Sequence, residues 1–159
     1  MAKNRPIIAV IGGRRAGKPQ LKEAEEVGRL IARSGAALLT GGLGGVMEAA
    51  SRGARAEGGL TIGVLPHEHK GRANRYVDVP IVTGLGIGRN IIIARTADAV
   101  VAVGGAYGTL SEIAFSLQLG KPVVGIGTWK IKGVVEAGDA EEAVGKALEA
   151  LGMPGRKGP

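Results

Sequence analysis

Short, nearly unbroken aliphatic runs recur along this chain, and most of them end in a cluster of glycines. Residues 6–10 lead through "IIAVIGG", 36–39 through "AALLTGGLGG", 79–82 through "VPIVTGLG" and 99–103 through "AVVAVGGAYG". Runs at 60–65 and 123–126, next to Pro66 and Pro122, complete the set. A strand with one face in water alternates apolar with polar residues. These runs do not, which is how strands of a parallel sheet read when helices cover both faces. Helical patterns lie between them at 21–33, 45–56, 88–96, 109–119 and 140–151, and "HEHKGRANR" at 67–75 reads as a polar loop. The alternation predicts an α/β chain with a doubly wound, Rossmann-like parallel sheet. No internal repeat or linker interrupts it, so the 159 residues are expected to form one domain, with 153–159 as a flexible tail.

The core must be aliphatic, because 45% of the residues are hydrophobic but only 3% are aromatic. There is no cysteine, which excludes disulfides and thiolate chemistry. No apolar run is long enough to span a membrane, and Lys3 and Arg5 lead straight into a strand rather than a signal peptide. A cytoplasmic protein with no membrane partner is the expectation. Lys and Arg outnumber Asp and Glu by 21 to 14, and the resulting +7 favours anionic partners. Nucleic acid is disfavoured among them. Single-strand binders stack bases on aromatic platforms, whereas Tyr76, Tyr107, Phe115 and Trp129 are scattered in sequence.

In an open α/β sheet, ligands bind beyond the carboxyl ends of the strands. The glycine clusters fall there: Gly12 with Gly13, Gly41 to Gly45, Gly84 to Gly88, and Gly104 to Gly108. Glycine also serves ordinary short turns, but doubled glycines at several strand ends suggest backbone closing on a ligand. The first loop nearly matches the phosphate loop of ATPases, with Gly12, four residues, then Gly17 and Lys18. A working loop has Ser or Thr next, whose hydroxyl binds magnesium. Pro19 stands there instead and is better suited to open a helix. No strand ends in an aspartate to hold the metal, so triphosphatase activity is rejected. Arg14, Arg15 and Lys18 either touch an anion or are simply solvated.

Two further stretches could carry chemistry. In "VGGAYGTLSEIAFSL" a strand gives way to a glycine loop and a helix, whose free N–H groups form an anion site at Gly105, Ala106, Tyr107, Gly108 and Thr109. Thr109 and Glu112 also have the spacing of a capping box, in which the Glu would serve only the helix end. In "TGLGIGRNIIIARTAD", Arg89 opens a helix on the same edge, where it opposes the dipole; a phosphate or carboxylate partner would justify it. Asp98 precedes its strand and is too far from the glycine loop to assist. His67 and His69 lack a third ligand in spacing, so no metal is expected.

Together these motifs resemble the Lonely Guy (LOG) family of cytokinin riboside 5′-monophosphate phosphoribohydrolases, many of which have carried the label lysine decarboxylase. The family's Pro-Gly-Gly-x-Gly-Thr-x-x-Glu aligns without gaps to the nine residues from Gly104 to Glu112. Its Arg-Lys pair falls on Arg89 and Asn90. Its Gly-Gly-x-x-Gly-x-Met looks like Gly41, Gly42, Leu43, Gly44, Gly45, Val46 and Met47. Asn90 replaces Lys, Gly104 replaces Pro, Ala106 replaces Gly, and Glu48 stands where Gly is usual. The Arg-Asn version looks closer to a divergent branch that includes the molybdenum cofactor carrier proteins. The resemblance implies a nucleoside monophosphate or similar phosphate-bearing ligand, no resident cofactor and a homodimer or larger assembly. It implies Arg89 and Glu112 as a catalytic pair. It also implies ligand contacts at Gly12, Gly13, Gly41, Gly42, Gly45, Met47, Asn90 and residues 105–109. Two functions follow from it: hydrolysis of a base–ribose bond, or non-catalytic carriage or sensing of the ligand. Decarboxylation is discounted, since Lys121 sits at the wrong end of its strand for a Schiff base.

Overall fold

The strands are β1 (Ile7–Gly12), β2 (Ala37–Thr40), β3 (Thr61–Leu65), β4 (Val79–Val82), β5 (Ala99–Val103), β6 (Val123–Ile126) and β7 (Val134–Glu136) in a computed structural model that describes residues 4–154. The helices are α1 (Lys18–Arg33), α2 (Val46–Ala56), α3 (Arg89–Thr96), α4 (Tyr107–Gln118) and α5 (Ala140–Ala150). All seven strands form one sheet in the order β4-β3-β2-β1-β5-β6-β7, and every pairing is parallel. The strand order reverses direction between β1 and β5, which is where a doubly wound sheet opens a crevice at its carboxyl ends.

Successive side chains of a strand point to opposite faces, and here both faces are covered. Ile8 and Val10 of β1 enter one apolar cluster with Val27 and Ile31 of α1, Val46 and Ala50 of α2 and Val144 of α5. Ala9 and Ile11 enter the other with Ile93 of α3 and Ile113 of α4. The cores are aliphatic, and each fully buried Val, Leu or Ile contributes roughly 1.5–3 kcal/mol relative to exposure. α1 and α2 approach with backbone nearly touching backbone. A Cβ on Gly28 would lie 2.0 Å from Ala50 O, and one on Gly53 would lie 2.0 Å from Glu25 O.

The predicted α/β sheet is the observed one, with some changes. α1 starts at Lys18 rather than 21, because Pro19 fits its first turn and Gly17 precedes it in extended backbone. β7 is additional: a three-residue edge strand carries too short a pattern to read. α4 starts at Tyr107 rather than 109. Of the tail expected at 153–159, Met153 instead packs on the core; 155–159 lie outside the described residues. No helix among the described residues is long and apolar enough to cross a membrane.

Candidate functional site

The loops after β1, β2, β3 and β5 meet at the carboxyl edge of the sheet. The loop after β1 is tied to α2 by Val46 N–H, which donates to Gly13 O at 3.0 Å. Gly12 fits between Val103 O of β5 and the Val46 side chain, either of which a Cβ would strike within about 2.6 Å. Gly12, Gly13 and Gly45 thus bring β1, α2 and β5 into one place. Met47 is buried with Leu43 and Leu65 in a small apolar cluster. It forms the wall behind Gly41, where a Cβ would lie 2.7 Å from its Sδ.

The start of α4 is made by Gly105. Its φ is +100°, and a Cβ there would fall 2.2 Å from Thr109 Oγ1. Only glycine accommodates both, and the turn lets the chain enter the helix at Tyr107. No side chain caps this helix, and its first turn holds no acid. The capping-box expectation is therefore corrected: with Ala106 as N-cap, Glu112 lies in the second turn and cannot return to the helix end. Thr109 is buried beneath Gly105. The first-turn N–H groups are left uncapped, with the positive end of the helix dipole behind them.

Arg89 and Asn90 open α3 and are 8% and 3% exposed. Arg89 Nε donates to Val64 O at 2.9 Å, Nη2 to Gly41 O at 3.4 Å and Nη1 to Asn90 Oδ1. Gly41 makes room for this, since a Cβ would meet Nη2 at 2.5 Å. The arginine thus joins the ends of β2 and β3 through backbone carbonyls, which are not the phosphate or carboxylate that its helix position suggested. Asn90 Nδ2 donates to Ser111 Oγ at 3.1 Å, and Ser111 Oγ donates to Gly108 O at 2.6 Å. A hydrogen-bonded chain therefore runs from β2 and β3 through α3 to the first turn of α4. Ser111 was absent from the sequence-derived site, because a serine between Leu110 and Glu112 gives no signal of the partner it will meet.

Glu112 projects from α4 toward this network and is 7% exposed. Burial raises its carboxyl to about 7, although Arg89 opposes the rise. Burial also pushes the Arg89 guanidinium down, against the pull of Glu112. The two interact across a gap rather than as a contact pair.

The remaining candidates divide. Asp98 lies at the opposite edge, where its Oδ2 accepts the Ile7 N–H at 2.8 Å. No group of three or more metal-ligating side chains occurs among the described residues. An open hollow of about 490 Å³ between α1 and α5 is lined by five acids, Glu23, Glu25, Glu26, Asp139 and Glu141, against Lys22 and Arg29, an excess of negative charge that disfavours an anion. Two aromatics that are distant in sequence come together: Tyr107 and Trp129 stack with centroids 6.3 Å apart, and Trp129 Nε1 donates to Ala106 O at 3.1 Å. Trp129 was not among the expected site residues, since only the fold brings it to the loop after β5.

The chain matches the SLOG cluster4 family over residues 5–150. The molybdenum cofactor binding protein of Rippkaea orientalis superposes with a TM-score of 0.88 and 38% identity, over 94% of this chain and 99% of that one. The molybdenum cofactor carrier protein of Chlamydomonas reinhardtii superposes with a TM-score of 0.85 and 40% identity, over 93% and 99%. An uncharacterized protein of Archaeoglobus fulgidus is 45% identical over 75% of this chain and 78% of its own length. A cytokinin riboside 5′-monophosphate phosphoribohydrolase of Mycobacterium marinum is 39% identical over 60% of this chain. The match spans about half of that relative, 53% of its length.

Proposed function

The chain belongs to the SLOG cluster4 family, and on that premise we propose that it binds a phosphate-bearing heterocyclic small molecule and carries it without breaking it. The uncapped start of α4 carries this reading. Backbone N–H groups of residues 105–109 would hold the phosphate, as helix N-termini hold anions elsewhere. Arg89, fixed by the carbonyls of Gly41 and Val64, supplies positive charge behind them. Tyr107, 81% exposed and stacked on Trp129, offers a flat face to a planar ring. The likeness to molybdenum cofactor binding and carrier proteins supports that cofactor, or a nucleoside monophosphate, as cargo.

A second reading, hydrolysis of a nucleoside monophosphate to free base and ribose 5-phosphate, is favoured by one observation. The buried Glu112 carboxyl faces Arg89. An ionised Glu112 would stabilise an oxocarbenium-like ribosyl group or orient a water. Carriage is preferred because the amide of Asn90 replaces a second cation and the likeness to the molybdenum cofactor binding and carrier proteins covers nearly all of both chains. Incubation with a panel of nucleoside monophosphates distinguishes the two. The expected outcome is binding by calorimetry with no free base. Base release that falls by about two orders of magnitude in Glu112→Gln, with a melting temperature no lower than that of wild type, would establish the hydrolase instead.

The assembly expected of the protein is a homodimer or larger. Val79, Ile81 and Val82 on the edge strand β4, and Leu85 and Ile87 after it, are exposed apolar side chains that a second copy would cover. Sedimentation of the pure protein should show a species of at least twice the chain mass.

A further inference from the structure

A separate hollow lies on the same edge, away from Glu112. It holds about 210 Å³ and is lined by Arg14, Leu43, Gly44, His67, Arg72 and Asn74. Its walls come from the loops after β1, β2 and β3, and they are joined. Asn74 N–H donates to Gly42 O at 2.9 Å, and Asn74 Nδ2 to Leu43 O at 2.9 Å. Asn74 Oδ1 accepts from Tyr76 N–H at 3.0 Å, so both ends of this side chain help build the wall.

The charge in the hollow is not neutralised. Neither Arg14 nor Arg72 joins any ion pair among the described residues. The nearby carboxylate is Glu48, whose Oε2 lies 4.0 Å from where a Cβ on Gly44 would be, and it pairs with neither. His67 Nδ1 is buried without a hydrogen-bond partner. Desolvation, then Arg72, Arg14 and Arg89, disfavour its protonated form. Gly41, which accepts from Arg89, is followed by Gly42 and Leu43, which accept from Asn74, so the hollow and the Arg89 site share the loop after β2.

The hollow is open to solvent, and its 210 Å³ corresponds to about seven water molecules in the liquid, room for one hydrated oxyanion. Two guanidiniums supply forked donors matched to phosphate oxygens.

We propose that Arg14, His67 and Arg72 form a second oxyanion subsite for a phosphate-type group, so that the ligand carries two separated anionic groups. One would rest on residues 105–109 and the other in this hollow. The first of these placements rests on the binding reading above; the subsite itself does not.

The test is calorimetric titration of inorganic phosphate at low ionic strength, with and without saturating AMP. The variants are Arg14→Ala/Arg72→Ala and, as a control, Lys70→Ala/Arg75→Ala, which removes two exposed cations from the same loop region outside the hollow. Melting temperatures confirm that both fold. The wild type and the control should bind phosphate in the presence of AMP, and Arg14→Ala/Arg72→Ala should weaken this at least tenfold. Equal weakening in both double variants, or none in either, overturns the subsite. If AMP itself does not bind but phosphate affinity still falls in Arg14→Ala/Arg72→Ala alone, the subsite stands and the nucleotide reading falls.

Discussion

At the scale of residues, the site is held by buried charge, and buried charge makes stability depend on pH. The Glu112 carboxyl moves from an ordinary 4.5 to about 7 in the folded protein. A raised carboxyl favours its protonated form, and that contribution is complete below the unfolded value and lost as pH rises through about 7. At one pKa unit per 1.36 kcal/mol, the loss is on the order of 3 kcal/mol at most. Glu112→Gln should remove it. The variant is expected to melt higher than wild type at pH 8.5 and nearly equal to it at pH 5; a wild-type melting temperature unchanged from pH 5 to 8.5 would contradict the burial argument. Arg89→Ala leaves the carbonyls of Gly41 and Val64 without this donor and should cost about 2–4 kcal/mol. It should also weaken AMP binding. Equal AMP affinity in a folded Arg89→Ala would make the arginine purely structural. The sequence pointed to Arg89 and Glu112 through their helix positions and the family motif. It could not show that Glu112 lies outside the first turn, because a Thr and a Glu three apart read the same wherever the helix begins.

At the scale of elements, glycine determines how closely pieces meet. Gly53→Ala would drive a methyl into Glu25 O of α1 and Gly28→Ala into Ala50 O of α2. Either should separate the helices and destabilise the fold by roughly 1–3 kcal/mol, read as a drop in melting temperature. By contrast Asp139, whose Oδ1 accepts the Glu142 N–H at 2.9 Å, caps α5 in the ordinary way. Asp139→Ala should cost about 1 kcal/mol with no effect on ligand binding. The central strands were legible because burial on both faces leaves an unbroken aliphatic run, and β4 carries the same pattern although it is largely exposed at the sheet's edge. β7 was not, because its Val134 and Val135 sit between a loop and a turn and pair only at the sheet's edge. The glycine pairs of α1 and α2 were invisible in sequence, since the contact that requires them joins residues far apart in the chain.

At the scale of the whole molecule, an edge with Arg14, Arg72 and Arg89 implies binding that weakens with salt. AMP affinity should fall steadily between 50 mM and 500 mM chloride as the charges are screened. ATP turnover should be absent at every ionic strength, because Pro19 occupies the helix start where a magnesium-binding hydroxyl would be needed. Turnover abolished by Lys18→Ala would refute this.

The place of β5 in the sheet also sets an order of events during synthesis. β1 pairs with β2 on one side and with β5 on the other. A ribosome delivers β1 to β4 first, so the growing chain holds a half-built sheet with the inner edge of β1 open. Unpaired strand edges of this kind recruit other chains. The two walls of the ligand site lie on opposite sides of that seam, Gly41 and Val64 before it and residues 105–112 after it. A fragment of residues 1–98 is therefore expected to self-associate and to bind no AMP. In the complete chain, a ligand spanning the seam would stabilise only molecules that have closed it, so the cargo would also act as a test of correct assembly.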